Sequence, residues 1–275
     1  MSGGQGSVTL LKLGGELLEP GPGLALVIRA IGQLAAGGPL IIVHGAGREI
    51  DAETQRRGVP KQSVDGLRIT DAPTLDAVIA VLAGTVNTRL VAALVGAGLP
   101  AVGLTGVDAQ IGLSDRAPAH RSVDGHLVDL GLVGAPVPAT SPKLLDCLLP
   151  HGYIPVIACL GVDREGQVLN VNADTLAAAL AESAHVDRLI IAGATAGVLD
   201  TNQATIEILD DAGIDRMIGD GTASAGMIAK LRACREALHG GVRDISIVSG
   251  RHPDGFLTAP GTRIVAHAGT GAATS

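Results

Sequence analysis

The sequence predicts an α/β fold, a three-layer sandwich whose mostly parallel central sheet is covered by helices on both faces. The first observation behind this is a repeated order: an Ala/Leu-rich helical stretch, a small-residue break, a short β-branched run and a Gly-rich loop. It is clearest in IRAIGQLAAGGPLIIVHGAG at 28–47, and it recurs at 88–106, 144–161, 186–197 and 235–250. Helix-to-strand alternation of this kind is the signature of a parallel sheet with both faces covered. The second is size: 275 residues, 47% of them hydrophobic, can bury a sizeable core. The third is composition. With one Phe, one Tyr and no Trp, that core must be built from Ala, Val, Leu and Ile.

In sheets of this type the loops beyond the carboxyl ends of the strands carry the ligand, so the Gly-rich tips are expected to share one crevice. The first strand, in LLKLGGELLEP at 10–20, ends in Lys12 and a glycine pair. Either the lysine is aimed at an anion, or it is an edge-strand lysine kept for solubility. After the strand PLIIV, the turn His44-Gly45-Ala46-Gly47 feeds a helix. Backbone amides at such a helix start suit a carboxylate or phosphate, and a simple strand-to-helix turn explains the pattern equally well. His44 reads as hydrogen-bonded locally. In DGLRIT, Arg68 can grip a carboxylate through two parallel bonds or pair with a nearby acid.

Residues 71–97 place Leu75, Val78, Ile79, Leu82, Val86, Leu90 and Leu94 at helical spacing, with Asp71 and Pro73 as a start signal. This long apolar helix is a candidate subunit contact. The run LVAALVGAGLPAVGLTGV is divided by Gly96, Gly98 and Pro100 into helix end, turn and strand, so no membrane span is expected. Scattered charges, Pro and Gly over 107–140 suggest short strands or hairpins in a lid-like insertion. In NVNADTLAAALA, Asn172 or Asp174 can cap the following helix, and the other polar residues of the stretch then face the crevice. Lys230, within the first turns of the helix opened by GMIAKL, reads by itself as a solvated lysine. The final residues, 268–275, read as a frayed tail.

Other chemistries find little support. A net charge of −7 and 1% aromatic content oppose a nucleic-acid binder. Gly-Lys does not occur, so there is no Walker A sequence, and HGAGREI matches only the first two glycines of a dinucleotide fingerprint. Cys147, Cys159 and Cys234 lack metal-ligand spacing and read as reduced core residues of a cytoplasmic protein. No signal peptide is apparent.

The stretches KLGGELL, IIVHGAG, DGLRITDAPTLDAV, LAGTVNTRLV, AVGLTGVD, SPKLLD, HGYIPVIACLGVDREGQVLNVNADTLAAALA, GMIAKL and PGTRIVA occur in chain order. From about residue 8 to residue 266 this set resembles the amino acid kinase family, and within it the N-acetylglutamate kinases. The resemblance implies one domain over 1–275, with an amino-acid-substrate lobe over about 1–165 and a nucleotide lobe over about 166–267. It implies transfer of the ATP γ-phosphoryl group, with Mg2+, to the side-chain carboxylate of N-acetyl-L-glutamate, a step toward arginine.

By the same match, Lys12, Gly14 and Gly15 meet the phosphates, Lys230 holds the transferring group, and Asp174 orients the two lysines. Gly45 and Ala46 meet the reacting carboxylate, Arg68 and Asn170 hold the amino-acid end, and Thr195 and Gly197 belong to the nucleotide loop. No protein metal ligand is implied. A carboxylate with a pKa of about 4 is already ionised at neutral pH, so no general base is needed.

Two loops depart from the family pattern. Ala46 stands where a third glycine is usual, and Gly193-Ala194 stand where Ser or Thr and Asp are usual. The first is harmless if Ala46 has negative φ, and the second removes a polar contact to the nucleotide. Arginine-inhibited members carry an extra amino-terminal helix that the residues before Val8 cannot form, so an arginine-insensitive homodimer is expected. A kinase of a homologue such as aminoadipate and a non-catalytic binding member are the competing readings.

Overall fold

The computed structural model describes residues 7–122, 124–137 and 142–266, so the tail expected over 268–275 lies outside the described residues. Strand β1 (Thr9–Leu13) leads through a short 3-10 turn to helix α1 (Pro22–Gly37), β2 (Leu40–His44) and α2 (Gly47–Arg56). A small hairpin, β3 (Ser63–Val64) and β4 (Leu67–Arg68), precedes α3 (Ala72–Ile79), which runs on through a π-helical segment, Ala80–Asn87, into α4 (Thr88–Gly96) and then β5 (Ala101–Thr105). Short strands β6 (Ser114–Arg116), β7 (His120–Arg121), β8 (Leu127–Val128) and β9 (Val133–Pro136) follow, then α5 (Lys143–Leu148) and β10 (Ile154–Ala158). The chain continues through β11 (Leu160–Val162), β12 (Val168–Val171), α6 (Ala173–Ser183), β13 (Arg188–Gly193), β14 (Ile208–Asp210), α7 (Asp211–Gly219), α8 (Ala225–His239), β15 (Asp244–Ser249) and β16 (Gly261–Val265).

The main sheet has the order β14-β16-β15-β13-β1-β2-β10-β5. All its pairings are parallel except β15 with β16, as the helix-to-strand repeat predicts. β1 lies between β2 and β13, and every residue of it is buried. The chain leaves this strand for one side of the sheet and later returns to build the other, so a crevice opens beyond its carboxyl end. The glycine pair, the HGAG turn and the β13 loop all reach this end.

The helix expected over 71–97 forms, and Asp71 caps it by accepting from the Thr74 amide. Its centre is π-helical rather than α-helical. Val78, Leu82, Val86, Leu90 and Leu94 recur at four-residue spacing and are all buried. Such a spacing overshoots a 3.6-residue turn, and the wider i→i+5 turns bring the row back to one face. By length and hydropathy Ala72–Gly96 could cross a membrane, yet this row packs into the same apolar core as Ile42 and Val156 of the main sheet.

The 107–140 region contains the expected hairpin, β7 with β8, but it is more than a lid. β6 and β9 join β11 and β12 in a second, four-stranded sheet, in which Asn170 of β12 stands beside Val133. Residues 123 and 138–141 lie outside the described residues. The core reading of the cysteines holds for Cys159 and Cys234 and fails for Cys147, which is exposed on α5. An apolar sequence neighbourhood does not determine which side of a short helix meets water.

Candidate active site

Lys12 is not an edge residue. It lies at the carboxyl end of the central strand, in register with Val43 and Ile191, and is 4% exposed. A lysine at such a depth needs a partner. Its Nζ is 2.6 Å from Oδ1 of Asp174, an ionic contact outside hydrogen-bond geometry, and Lys230 of α8 donates to Oδ2 of the same carboxylate at 3.3 Å. Asn172 is the cap of α6, accepting from the amides of Asp174 and Thr175. Asp174, relieved of capping, turns its side chain to the lysines. Burial pushes the Asp174 carboxyl pKa upward, but the two ammonium groups outweigh it and hold the group below the usual carboxylate range.

Lys12, Asn172 and Asp174 line a cleft of about 270 Å³ together with Gly14, Gly15, Gly45, Ala46, Arg68 and Asn170, and Lys230 reaches it through Asp174. Gly15 is required by a close approach: a Cβ there would lie 2.9 Å from the Ala46 Cα. Ala46 has φ −155° and is buried, so its methyl introduces no left-handed strain. The Gly14 and Gly45 amides donate to Ala192 and Leu13 carbonyls, extending the parallel ladder. The amides left without intrahelical partners are those heading α2, whose start has no side-chain cap.

Of the two roles considered for it, Arg68 takes the ion pair. Its Nη2 pairs with Asp51 and reaches the Gly47 carbonyl at 3.4 Å, while its buried Nη1 has no partner among the described residues. A buried guanidinium nitrogen without a protein acceptor is ordinarily satisfied by an ordered water or a bound group. Asn170 donates to the Thr70 hydroxyl at 3.0 Å, which fixes its amide at the same wall. His44 is fully buried between Asn87, 3.0 Å from Nε2, and the Gly45 carbonyl. Burial lowers its pKa to about 4, against a smaller opposing effect of the Gly45 carbonyl, so it is neutral at physiological pH and structural.

Thr195 is exposed in the loop after β13. Gly197 is buried at φ 114°, where a Cβ would meet the Thr262 hydroxyl at 2.8 Å. Neither lines the cleft that holds Lys12 and Asp174. Residues absent from the sequence-level site include Asp51, which also pairs with Lys61 at 2.7 Å, and Glu16, which lines the cleft. Asp51 lies one turn into α2, a position that places it beside the helix start, but nothing in the sequence joins it to Arg68.

If Asp51 sets the pose of Arg68, then Asp51→Asn raises the KM for an anionic substrate about tenfold, near the lower value of one charge-assisted hydrogen bond. The turnover number changes little. An unchanged KM in steady-state assays refutes this positioning role.

Residues 7–249 match the model of the amino acid kinase family. An acetylglutamate kinase of Methanopyrus kandleri is 39% identical over 256 residues, covering 92% of this chain and 98% of that protein. An acetylglutamate kinase of Solibacter usitatus is 38% identical over 245 residues, covering 89% and 91%. Among solved structures, that of smu.665 from Streptococcus mutans superposes with a TM-score of 0.80 at 28% identity, covering 94% of this chain and 99% of that one. The parallel sheet, the cleft at the end of its central strand and these matches together show that the chain belongs to the amino acid kinase family.

Proposed function

We propose that the protein is an acetylglutamate kinase, transferring the γ-phosphoryl group of ATP to the side-chain carboxylate of N-acetyl-L-glutamate. The observation that carries this is the convergence of Lys12 and Lys230 on Asp174, beside a cleft lined by Lys12 and Asp174 whose other wall holds the Arg68 side chain. Phosphoryl transfer between two anions is limited by their mutual repulsion, so the protein's task is positioning and charge. Lys12 and Lys230 neutralise phosphate oxygens, and Asp174 holds the two ammonium groups at a fixed separation. The uncapped start of α2, beside Gly45 and Ala46, receives the attacking carboxylate.

Arg68 and Asn170 orient the amino-acid end, with the lobe up to about residue 165 holding the acceptor and the lobe over about 166–267 holding the nucleotide. Gly14 and Gly15 leave room for the phosphates, and the loop carrying Thr195 and Gly197 borders the nucleotide. When bound, Mg2+ supplies further neutralisation at the phosphates, and on that wall the Glu16 carboxylate has no cation partner among the described residues. The protein acts in the cytoplasm as a homodimer through the solvent face of the 72–96 helix, where Thr88, Ala92 and Val95 are exposed. Light scattering at micromolar concentration that gives a monomer refutes the dimer.

The direct test is to incubate the purified protein with Mg2+, ATP and N-acetyl-L-glutamate and trap the acyl phosphate with hydroxylamine. Hydroxamate that depends on the acetylated amino acid is the expected product. Nucleotide binding by the folded protein without hydroxamate overturns the kinase reading.

A further inference from the structure

Glu16 follows the glycine pair and is, with Asp174, one of two carboxylates among the residues lining the cleft. Its surroundings differ from those of Asp174. Lys12 and Lys230 both turn to Asp174, whereas among the described residues the Glu16 carboxylate has no ion pair, and Arg251 donates only to the Glu16 backbone carbonyl at 3.4 Å. Among the described residues the carboxylate's hydrogen-bond partner is the backbone amide of Ala194, which donates to Oε1 at 3.1 Å. The carboxylate lies directly over Gly14, in space that a Cβ there would take. Position 193 separates it from the second lysine: a Cβ on Gly193 would be 3.5 Å from Glu16 Oε1 and 4.0 Å from Lys230 Cε.

A carboxylate in this position faces the polyphosphate of any nucleotide held by Lys12 and Lys230. Two anions brought together in a partly enclosed cleft repel strongly unless a cation lies between them. Mg2+ in nucleotide sites is held by one or two carboxylates plus phosphate oxygens and retained waters, without a dedicated protein cage. One carboxylate therefore suffices, in keeping with the absence of a larger acidic or His/Cys cluster among the described residues.

Resting on the kinase reading, we propose that Glu16 is a direct ligand of the divalent cation in the bound metal–nucleotide complex. It provides on the β1 side a polar contact for which Gly193 and Ala194 of the β13 loop have no side chain. The Ala194 amide holds the carboxylate in place through Oε1, and Oε2 faces the cation.

The test is calorimetric binding of AMP-PNP, a non-hydrolysable ATP analogue, to the wild type and to Glu16→Gln, with Mg2+ and again with EDTA. Glutamine keeps an oxygen for the Ala194 amide, and circular dichroism checks the fold. The expected result is a loss of roughly tenfold or more in affinity with Mg2+, the scale of perturbed metal sites, and no loss in EDTA. Mn2+ replacing Mg2+ should show a changed electron paramagnetic resonance spectrum in the variant's ternary complex. Tighter binding by Glu16→Gln under both conditions would make the carboxylate a plug to be displaced, and equal binding would make it a bystander. Either overturns the proposal while leaving the kinase reading intact. A wild type that binds AMP-PNP in neither condition overturns both.

Discussion

Asp174→Asn is expected to abolish measurable phosphoryl transfer and to destabilise the fold by about 3–5 kcal/mol, the scale of breaking a buried ion pair by removing one partner. Asp174 is 5% exposed and is the shared counter-ion of Lys12 and Lys230. Asparagine keeps the shape but leaves two ammonium groups close together with no opposing charge. The lysines must then separate or lose protons, and either change removes the charge that the transferring phosphoryl group needs.

The pH dependence has a definite sign. The Asp174 carboxyl is held below its ordinary pKa by the lysines, against the upward push of burial. The ion pair's stabilisation is therefore complete above the unfolded-state value of about 3.9 and is lost as pH falls through the lower folded-state value. Denaturant titrations should show a wild-type advantage over Asp174→Asn at pH 7 that shrinks in strong acid. Equal midpoints at pH 7 would mean that the pair contributes nothing to stability.

Lys230→Ala is expected to lower kcat by roughly 10²–10³, the scale of removing one electrostatic stabiliser of a transition state. The KM for N-acetyl-L-glutamate should stay within about twofold, because an interaction made mainly in the transition state appears in kcat. The variant should fold, since the Lys230 side chain is partly exposed and Asp174 keeps Lys12 at 2.6 Å. Hydroxamate formation under saturating substrates measures the effect. A preserved kcat with a raised KM for ATP would make Lys230 a ground-state nucleotide contact.

The residues that carry these predictions were legible to different degrees. Lys12 stands out in sequence because it sits in an apolar run, and Asp174 because it is one of three polar residues at a helix start of which capping explains only one. Lys230 does not, since a lysine on an amphipathic helix is ordinary, and only the family resemblance joined it to the other two. For Arg68 the sequence offered ligand or ion pair, and the structure shows the ion pair, with the second terminal nitrogen buried and without a partner among the described residues. Glu16 and Asp51 passed unnoticed, because charged residues beside a turn or within a helix are common, and their partners at Ala194 and Arg68 lie far along the chain or on another element.

By itself the sequence determined the layered α/β architecture, the order of helices and strands, and the end of the sheet at which the Gly-rich loops gather. These follow from local periodicity and glycine breaks, which act over a few residues. Tertiary structure alone decided that β1 is central, that the long helix widens into π-turns, and that the 107–140 strands build a second sheet beside Asn170. It also decided which of the three polar residues preceding and opening α6 caps the helix and which turns to the lysines. Strand order, side-chain pairing and burial depend on contacts between residues distant in sequence, and no local pattern encodes them.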